Sequence, residues 1–436
     1  MKNGGIVFAG LCVLVAVALY LTDTSPQAPA VITPSAEQQE VGRSSSSQTN
    51  KPARDSEAPV RAAPSEIREL RSLGYLAGYR APEVPGGATT FQPERLQPGY
   101  TLFSSGHAPT TLLIDSSGEV RHSWFAPVEK AFPSYSKDSE AFGHQPNYWR
   151  YVHLLPDGSL LAIFEGIGII KLDRESNVVW ARENGAHHWV SELSDGNLAV
   201  LTRKRVPLNQ SYFIQDAITI LNGAGEELRS TPIAEAIKGT PVESIIFRNK
   251  NKPWRGDLLH TNSLTIIPDL ATLPAGVSPG DYLVSMRTKS ALTVISAKTG
   301  RAVWAHRGGY RTQHSAEVRP NGTLLLFDNT GSGNRGPSRV LRYDFKTMNR
   351  IASIEKIGEV KTFFSKLLGA VRELPNRNLL ISESEAGRIL EVTPEGQLVW
   401  EYVSPYRVGE KDEFIAVVAH AERIAFDQVG WLNRAE

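Results

Sequence analysis

The sequence predicts an all-β fold, a six-bladed β-propeller, on three observations. One turn recurs as Leu155-Pro-Asp-Gly, Leu193-Ser-Asp-Gly, Val318-Arg-Pro-Asn-Gly and Leu374-Pro-Asn-Arg-Asn. Asp-Gly and Asn-Gly suit tight hairpins, where φ must be positive. A second turn recurs further along each unit and ends at a tryptophan: Leu113-Ile-Asp-Ser-Ser-Gly before Trp124, Ile170-Lys-Leu-Asp before Trp180, Val294-Ile-Ser-Ala before Trp304 and Leu390-Glu-Val-Thr-Pro before Trp400. Finally, no helical pattern of roughly 10–15 residues separates the strands, which disfavours a parallel sheet. Four-stranded units of roughly 40 to 55 residues are the signature of a propeller.

The elements follow in order. Lys2 precedes an uncharged run from Ile6 to Leu21, read as a membrane signal anchor over 1–22. The basic residue stays inside, so the rest lies outside the cytoplasm, on the periplasmic side. Residues 23–64 are rich in Ser, Pro, Ala and Gln. Such a segment buries too little apolar surface to order itself, and it is read as a disordered linker. Residues 65–95 hold a short helix, N-capped by Ser65 and stopped at Gly74, and a lead-in. The propeller fills 96–436, with units near 97–140, 150–185, 187–245, 258–310, 313–360 and 368–405. The tail from Asp412 to Trp431 completes either the first or the last blade. The recurring tryptophans are read as core, each packing on the next blade. The insertions Arg205–Ser211 and Phe247–Gly256 are loops on the end faces, where binding gathers.

Composition excludes some functions. The 436 residues carry 47 basic and 46 acidic side chains, a net charge of +1, with no polybasic stretch. Nucleic acid is therefore not an expected partner. The only cysteine, Cys12, lies in the apolar N-terminal run, so the folded domain has no disulfide, thiol nucleophile or cysteine metal site. No cofactor is expected.

The chemistry sits in histidines that share a phase of the repeat. His187-His188 opens the third unit, His260-Thr-Asn262 the fourth and Gln313-His314 the fifth, with His153 in a similar place in the second. Innermost strands line the channel of a propeller, so these imidazoles converge, with Arg287 nearby and either His187 or His188 facing inward. A metal site is disfavoured, because no carboxylate is phased with the histidines and an arginine opposes a cation. Acid–base and nucleophilic roles remain, beside the plain alternative of structural histidines bonded to backbone.

These residues resemble a known family, the bacterial aryl-sulfate sulfotransferases that work without a nucleotide sulfate donor. The likeness is carried by Gly99-Tyr-Thr-Leu-Phe-Ser with Trp124, His187-His188 with Asp195-Gly-Asn, His260-Thr-Asn262 with Arg287, Gln313-His314 with Phe327-Asp-Asn329, and Gly387-Arg-Ile-Leu-Glu through Tyr402. The resemblance implies a six-bladed propeller and a ping-pong reaction between an aryl sulfate donor and a phenolic acceptor. His314 would become a sulfohistidine, and His260 and His188 would hold oxygens and shuttle the phenol proton. Arg287 and Asn262 would stabilise the sulfuryl charge, with His187 and Asn329 also at the substrate. A non-catalytic envelope scaffold is the alternative. A quinone-dependent dehydrogenase is disfavoured, since no acidic residues are phased to hold its calcium.

Overall fold

The computed structural model describes residues 77–80, 86–136, 146–208, 211–249, 253–330, 337–358, 361–409 and 411–432. The expected membrane segment, linker and Ser65 helix lie outside them. Among the described residues no helix is long and apolar enough to cross a membrane.

Six antiparallel four-stranded blades form the expected all-β propeller. Blade 2 is the simplest: Tyr151–Leu154, Leu160–Phe164, Gly168–Leu172 and Val178–Arg182. Blade 3 begins at Ala186–Glu192, blade 4 at Thr261–Ile266, blade 5 at His314–Val318 and blade 6 at Ala370–Glu373. Blade 1 takes three strands from Tyr100–Phe125 and its fourth, the inner one, from Val418–Ile424 near the other end of the chain. The tail thus closes the ring through the first of the two blades the sequence allowed. Gly87–Thr90 adds a fifth, outer strand to blade 6, a strand not expected in the lead-in.

Middle strands are sandwiched between neighbouring blades. Leu160–Phe164, Ala291–Ile295 and Leu379–Glu383 are buried at every residue, whereas the outer strand Val120–Phe125 is mostly exposed or half-exposed. Burial on both faces explains why the middle strands read as continuous apolar runs instead of alternating. The tryptophans clasp successive blades. Trp180 Nε1 donates to Gly223 O of blade 3 at 3.2 Å, and Trp400 Nε1 to Ser116 O of blade 1 at 2.8 Å. Trp304 meets Phe345 of blade 5 edge-on at 5.3 Å.

The recurring turn works as its composition dictates. Asp157, Asp195, Asn321 and Asn376 each accept the backbone N–H two residues on, at 2.8 to 3.1 Å. The residue between is left-handed: Gly158 at φ +83°, Gly196 at +79°, Gly322 at +80°, but Arg377 at +74°. A non-glycine residue there costs about 1–2 kcal/mol. The Arg377 side chain is exposed, with only a long surface contact to Glu373 at 3.6 Å, which is worth little. Arg377→Gly is therefore expected to stabilise the fold by about 0.5–1 kcal/mol, after the freer unfolded chain offsets part of the gain. Urea unfolding checks this, and an unchanged or lower midpoint would contradict it.

Candidate active site

The inner strands of blades 3, 4 and 5 each break register at the start. The breaks fall between Ala186 and Val190, Thr261 and Ser263, and His314 and Glu317. Such bulges re-aim side chains without ending the strand. Around them the backbone is left-handed at His188 (φ +55°), His260 (+51°), Thr312 (+48°) and Ser315 (+51°). Strain of this kind, at residues that are not glycine, gathers at functional sites. Cross-blade bonds hold these strands together. Asn262 Nδ2 donates to Gln313 O at 2.8 Å, the Ala316 N–H to Ser263 Oγ at 3.1 Å, and Ser315 Oγ to Val371 O at 3.0 Å.

His314 is almost wholly buried. Its Nδ1 lies 3.1 Å from Thr312 O and 2.8 Å from Asn329 Oδ1. A carbonyl only accepts, so Nδ1 carries the proton. Asn329 is oriented independently, because its Nδ2 donates to Ser365 O at 2.8 Å and Leu368 O at 2.5 Å. In the neutral ring Nε2 then holds a free lone pair, and it is buried with no hydrogen-bond partner. Burial, then the charges of Arg150 and Arg287, pushes the pKa of His314 well below the usual imidazole value, so the ring is neutral at pH 7.

His260 precedes the blade 4 strand, and its Nδ1 donates to Asp257 Oδ2. Burial pushes Asp257 up, but the His260 bond and the charges of His260, Arg203 and Arg287 hold it below the usual carboxylate value. The rings of His260 and His188 meet edge-on at 5.1 Å. His188 thus meets His260 directly, with His187 behind it. His187 and His188 share a hydrogen between their Nδ1 atoms at 2.9 Å, and His187 turns its Nε2 toward Asp216 at 3.7 Å. Asn262, through Gln313, braces the residue before His314, and its Oδ1 is buried without a partner. The Arg287 N–H bonds His260 O at 3.0 Å, and its Nε is also buried and unpartnered.

One expectation is corrected. His153 does not join the cluster: it is a quarter exposed and lies 3.6 Å from Glu192. Blade 2 contributes Arg150 instead. Arg150, His188 and His314 each stand eight residues before their turn glycine, Gly158, Gly196 and Gly322, whereas His153 is three residues out of phase. No carboxylate is phased with the histidines, as expected, but three reach the cluster from other parts of the blades. Glu165 lies 3.5 Å from Arg150, 3.5 Å from Arg203 and 3.6 Å from His188, while Asp216 and Asp257 stand beside His187 and His260. None comes from an inner strand, so the repeat phase gave no signal for them. No group of three or more His, Cys, Asp or Glu among the described residues is arranged to hold a metal. The cluster instead presents the neutral imidazoles of His188 and His314 among the guanidiniums of Arg150, Arg203 and Arg287, a setting for an anion that must be attacked.

Burial also makes the fold acid-sensitive. His107 and His420 are pushed down to about 4 by burial, and His187, His188 and His314 well below 6.5. Between the folded and unfolded pKa values, the unfolded chain binds more protons at these histidines. Their contribution is complete above pH 6.5 and is lost as pH falls toward the folded values. Burial raises Asp216 to about 6, and raises Asp328 and Glu383. Those three act in the opposite sense, losing stability as pH rises, but the five histidines outweigh them. The urea midpoint is expected to fall from pH 7 to pH 5, and a flat or rising midpoint would contradict neutral burial of the imidazoles.

Residues 151–405 match the family Arylsulfotransferase (ASST), a span that holds all the clustered residues except Arg150. Similar solved structures include a protein of unknown function from Bacteroides caccae (15% identity, 74% of this chain and 98% of that one, TM-score 0.46). A streptogramin B lyase is similar at 13% identity (80% and 98% covered, TM-score 0.42). The virginiamycin B lyase from Staphylococcus aureus is similar at 10% (77% and 90% covered, TM-score 0.40). No curated protein matches the chain. With more than half of its residues inside the family match, the chain belongs to the arylsulfotransferase (ASST) family.

Proposed function

We propose that the protein transfers a sulfuryl group from an aryl sulfate to a phenol by a ping-pong route through a sulfohistidine at His314, with no nucleotide sulfate donor. The supporting observation is the state of His314, whose Nδ1 proton is claimed by two acceptors and whose Nε2 is buried, unprotonated and unpartnered. In the first half-reaction the Nε2 lone pair attacks sulfur and the S–O bond to the aryl group breaks. The departing oxygen takes a proton from the His260 imidazolium. In the second, the acceptor phenol returns a proton to His260 Nε2, its oxygen attacks sulfur, and the N–S electron pair goes back to His314. The positive charge of the sulfated ring falls on Nδ1–H, where Thr312 O and Asn329 Oδ1 accept it. Asp257 supports the cationic form of His260 in the same way.

Sulfuryl transfer resembles phosphoryl transfer, with a loose transition state whose charge sits on peripheral oxygens, so cationic donors matter most. Arg150 and Arg287 supply them, with His188 alongside. His187, Asn262 and Asn329 act as positioning residues, since each already bonds a neighbour of the reacting groups. We place this activity on the periplasmic side of a membrane, held there by the apolar run from Ile6 to Leu21.

The protein is assayed with para-nitrophenyl sulfate with and without phenol. Nitrophenol release that depends on phenol is expected. Arg150→Met is expected to lower kcat/KM about 10²–10³-fold, as for loss of one oxyanion donor. A folded protein that releases nothing across a panel of aryl sulfates, or that only hydrolyses them, would remove this function.

A further inference from the structure

Beside the histidine cluster lies a cleft of about 590 Å³ that the reaction above leaves unused. It is formed by the insertion before blade 4 and the turn after Arg287. Trp254 and Phe247 are stacked at 5.9 Å and 28°, and Phe213 supports Trp254 at 5.5 Å. Four cations line the cleft, Arg248, Arg255, Lys289 and Arg307, against one carboxylate, Asp257, which is already bonded to His260. Lys289 Nζ lies 5.4 Å from the Phe247 ring. Arg307 braces the insertion through Ile245 O and Ile246 O at 3.3 and 3.4 Å. Burial, then the charge of Arg248, lowers the pKa of Arg307. The strand Gly256–Asp257 pairs with Phe213 and Ile214 of blade 3. It thus fixes Asp257 as the shared wall between cleft and cluster. The volume lies within the range of small-molecule sites, and aromatic faces with convergent charges are what such sites present.

We propose that this cleft is a second subsite, which binds an anionic aromatic portion of the substrate remote from the reacting oxygen. The favoured aryl substrates then carry a carboxylate or a second sulfate. The specificity claim rests on the sulfuryl-transfer function proposed above; the binding claim does not.

The test pairs a binding and a kinetic measurement on wild type and on Arg248→Ser/Arg255→Ser, both residues being exposed. A naphthalene disulfonate is titrated against tryptophan fluorescence, with Trp254→Phe identifying the signal. Kinetics compare phenol with para-hydroxyphenylpropanoate as acceptors. Saturable quenching is expected in wild type, weakened about tenfold in the double variant, as for loss of two exposed charge contacts. KM for the anionic acceptor rises by the same factor, and phenol kinetics stay unchanged. Absence of disulfonate binding in wild type, equal binding in the variant, or an equal loss with both acceptors would overturn the subsite. Binding by a wild type that transfers nothing would retain the subsite and remove the transfer function.

Discussion

His314→Ala is expected to lower acceptor-dependent transfer about 10⁴-fold or more, the scale seen when a nucleophile that works with its neighbours as a unit is removed. The reason is specific to one atom. Nε2 carries the only lone pair on that ring, because Thr312 O fixes the proton on Nδ1. Alanine also leaves Thr312 O and Asn329 Oδ1 without their donor, and an orphaned buried acceptor costs about 1–3 kcal/mol. A loss of activity in this variant is therefore open to a folding explanation. His314→Asn separates the two effects. Its amide N–H takes the place of Nδ1–H, so the bonds to Thr312 and Asn329 persist while Nε2 is gone. His314→Asn is expected to unfold near the wild-type midpoint and to be as inactive as His314→Ala. Appreciable turnover by a stable His314→Asn would deny Nε2 its role.

His260→Asn is expected to lower kcat about 10²–10⁴-fold, the range for a lost general acid–base. The same logic of replacement applies: asparagine keeps a donor toward Asp257, so that carboxylate is not left bare. The size of the loss should depend on the leaving group. A nitrophenolate is a weak base and departs with little help, whereas an unsubstituted phenolate needs a proton. The variant should therefore retain more activity with para-nitrophenyl sulfate than with phenyl sulfate. An equal loss with both donors would show that His260 positions the substrate without moving a proton.

The fold was legible because its punctuation is chemical. Asp157, Asp195, Asn321 and Asn376 all cap the same turn, and residue type alone announces such a turn. The middle strands declared themselves by burial on both faces. The fifth strand at Gly87–Thr90 was not legible. Gly-Ala-Thr-Thr has no apolar alternation, and it forms only because the outer edge of blade 6 offers unpaired backbone groups.

The site was half legible, for a geometric reason. Propeller phase identifies what inner strands deliver, so His188, His260 and His314 could be grouped. Arg150 shares this phase, eight residues before Gly158, but it is not a histidine, and the nearby His153 masks it. Glu165 comes from a turn, Asp216 from a middle strand of blade 3 and Asp257 from the short added strand Gly256–Asp257. Their approach depends on the bulges at His188, Thr261–Ser263 and His314, and one extra residue in a strand leaves no mark in the sequence.

The most direct test of sulfuryl transfer through His314 is peptide mass analysis of the protein mixed with an aryl sulfate alone, quenched at alkaline pH. The peptide holding His314 should gain the mass of one SO₃ group, lose it when phenol is added before the quench, and never gain it in His314→Asn. Rapid transfer to phenol with no modified peptide at any time, or with the SO₃ group on another residue, would contradict the account.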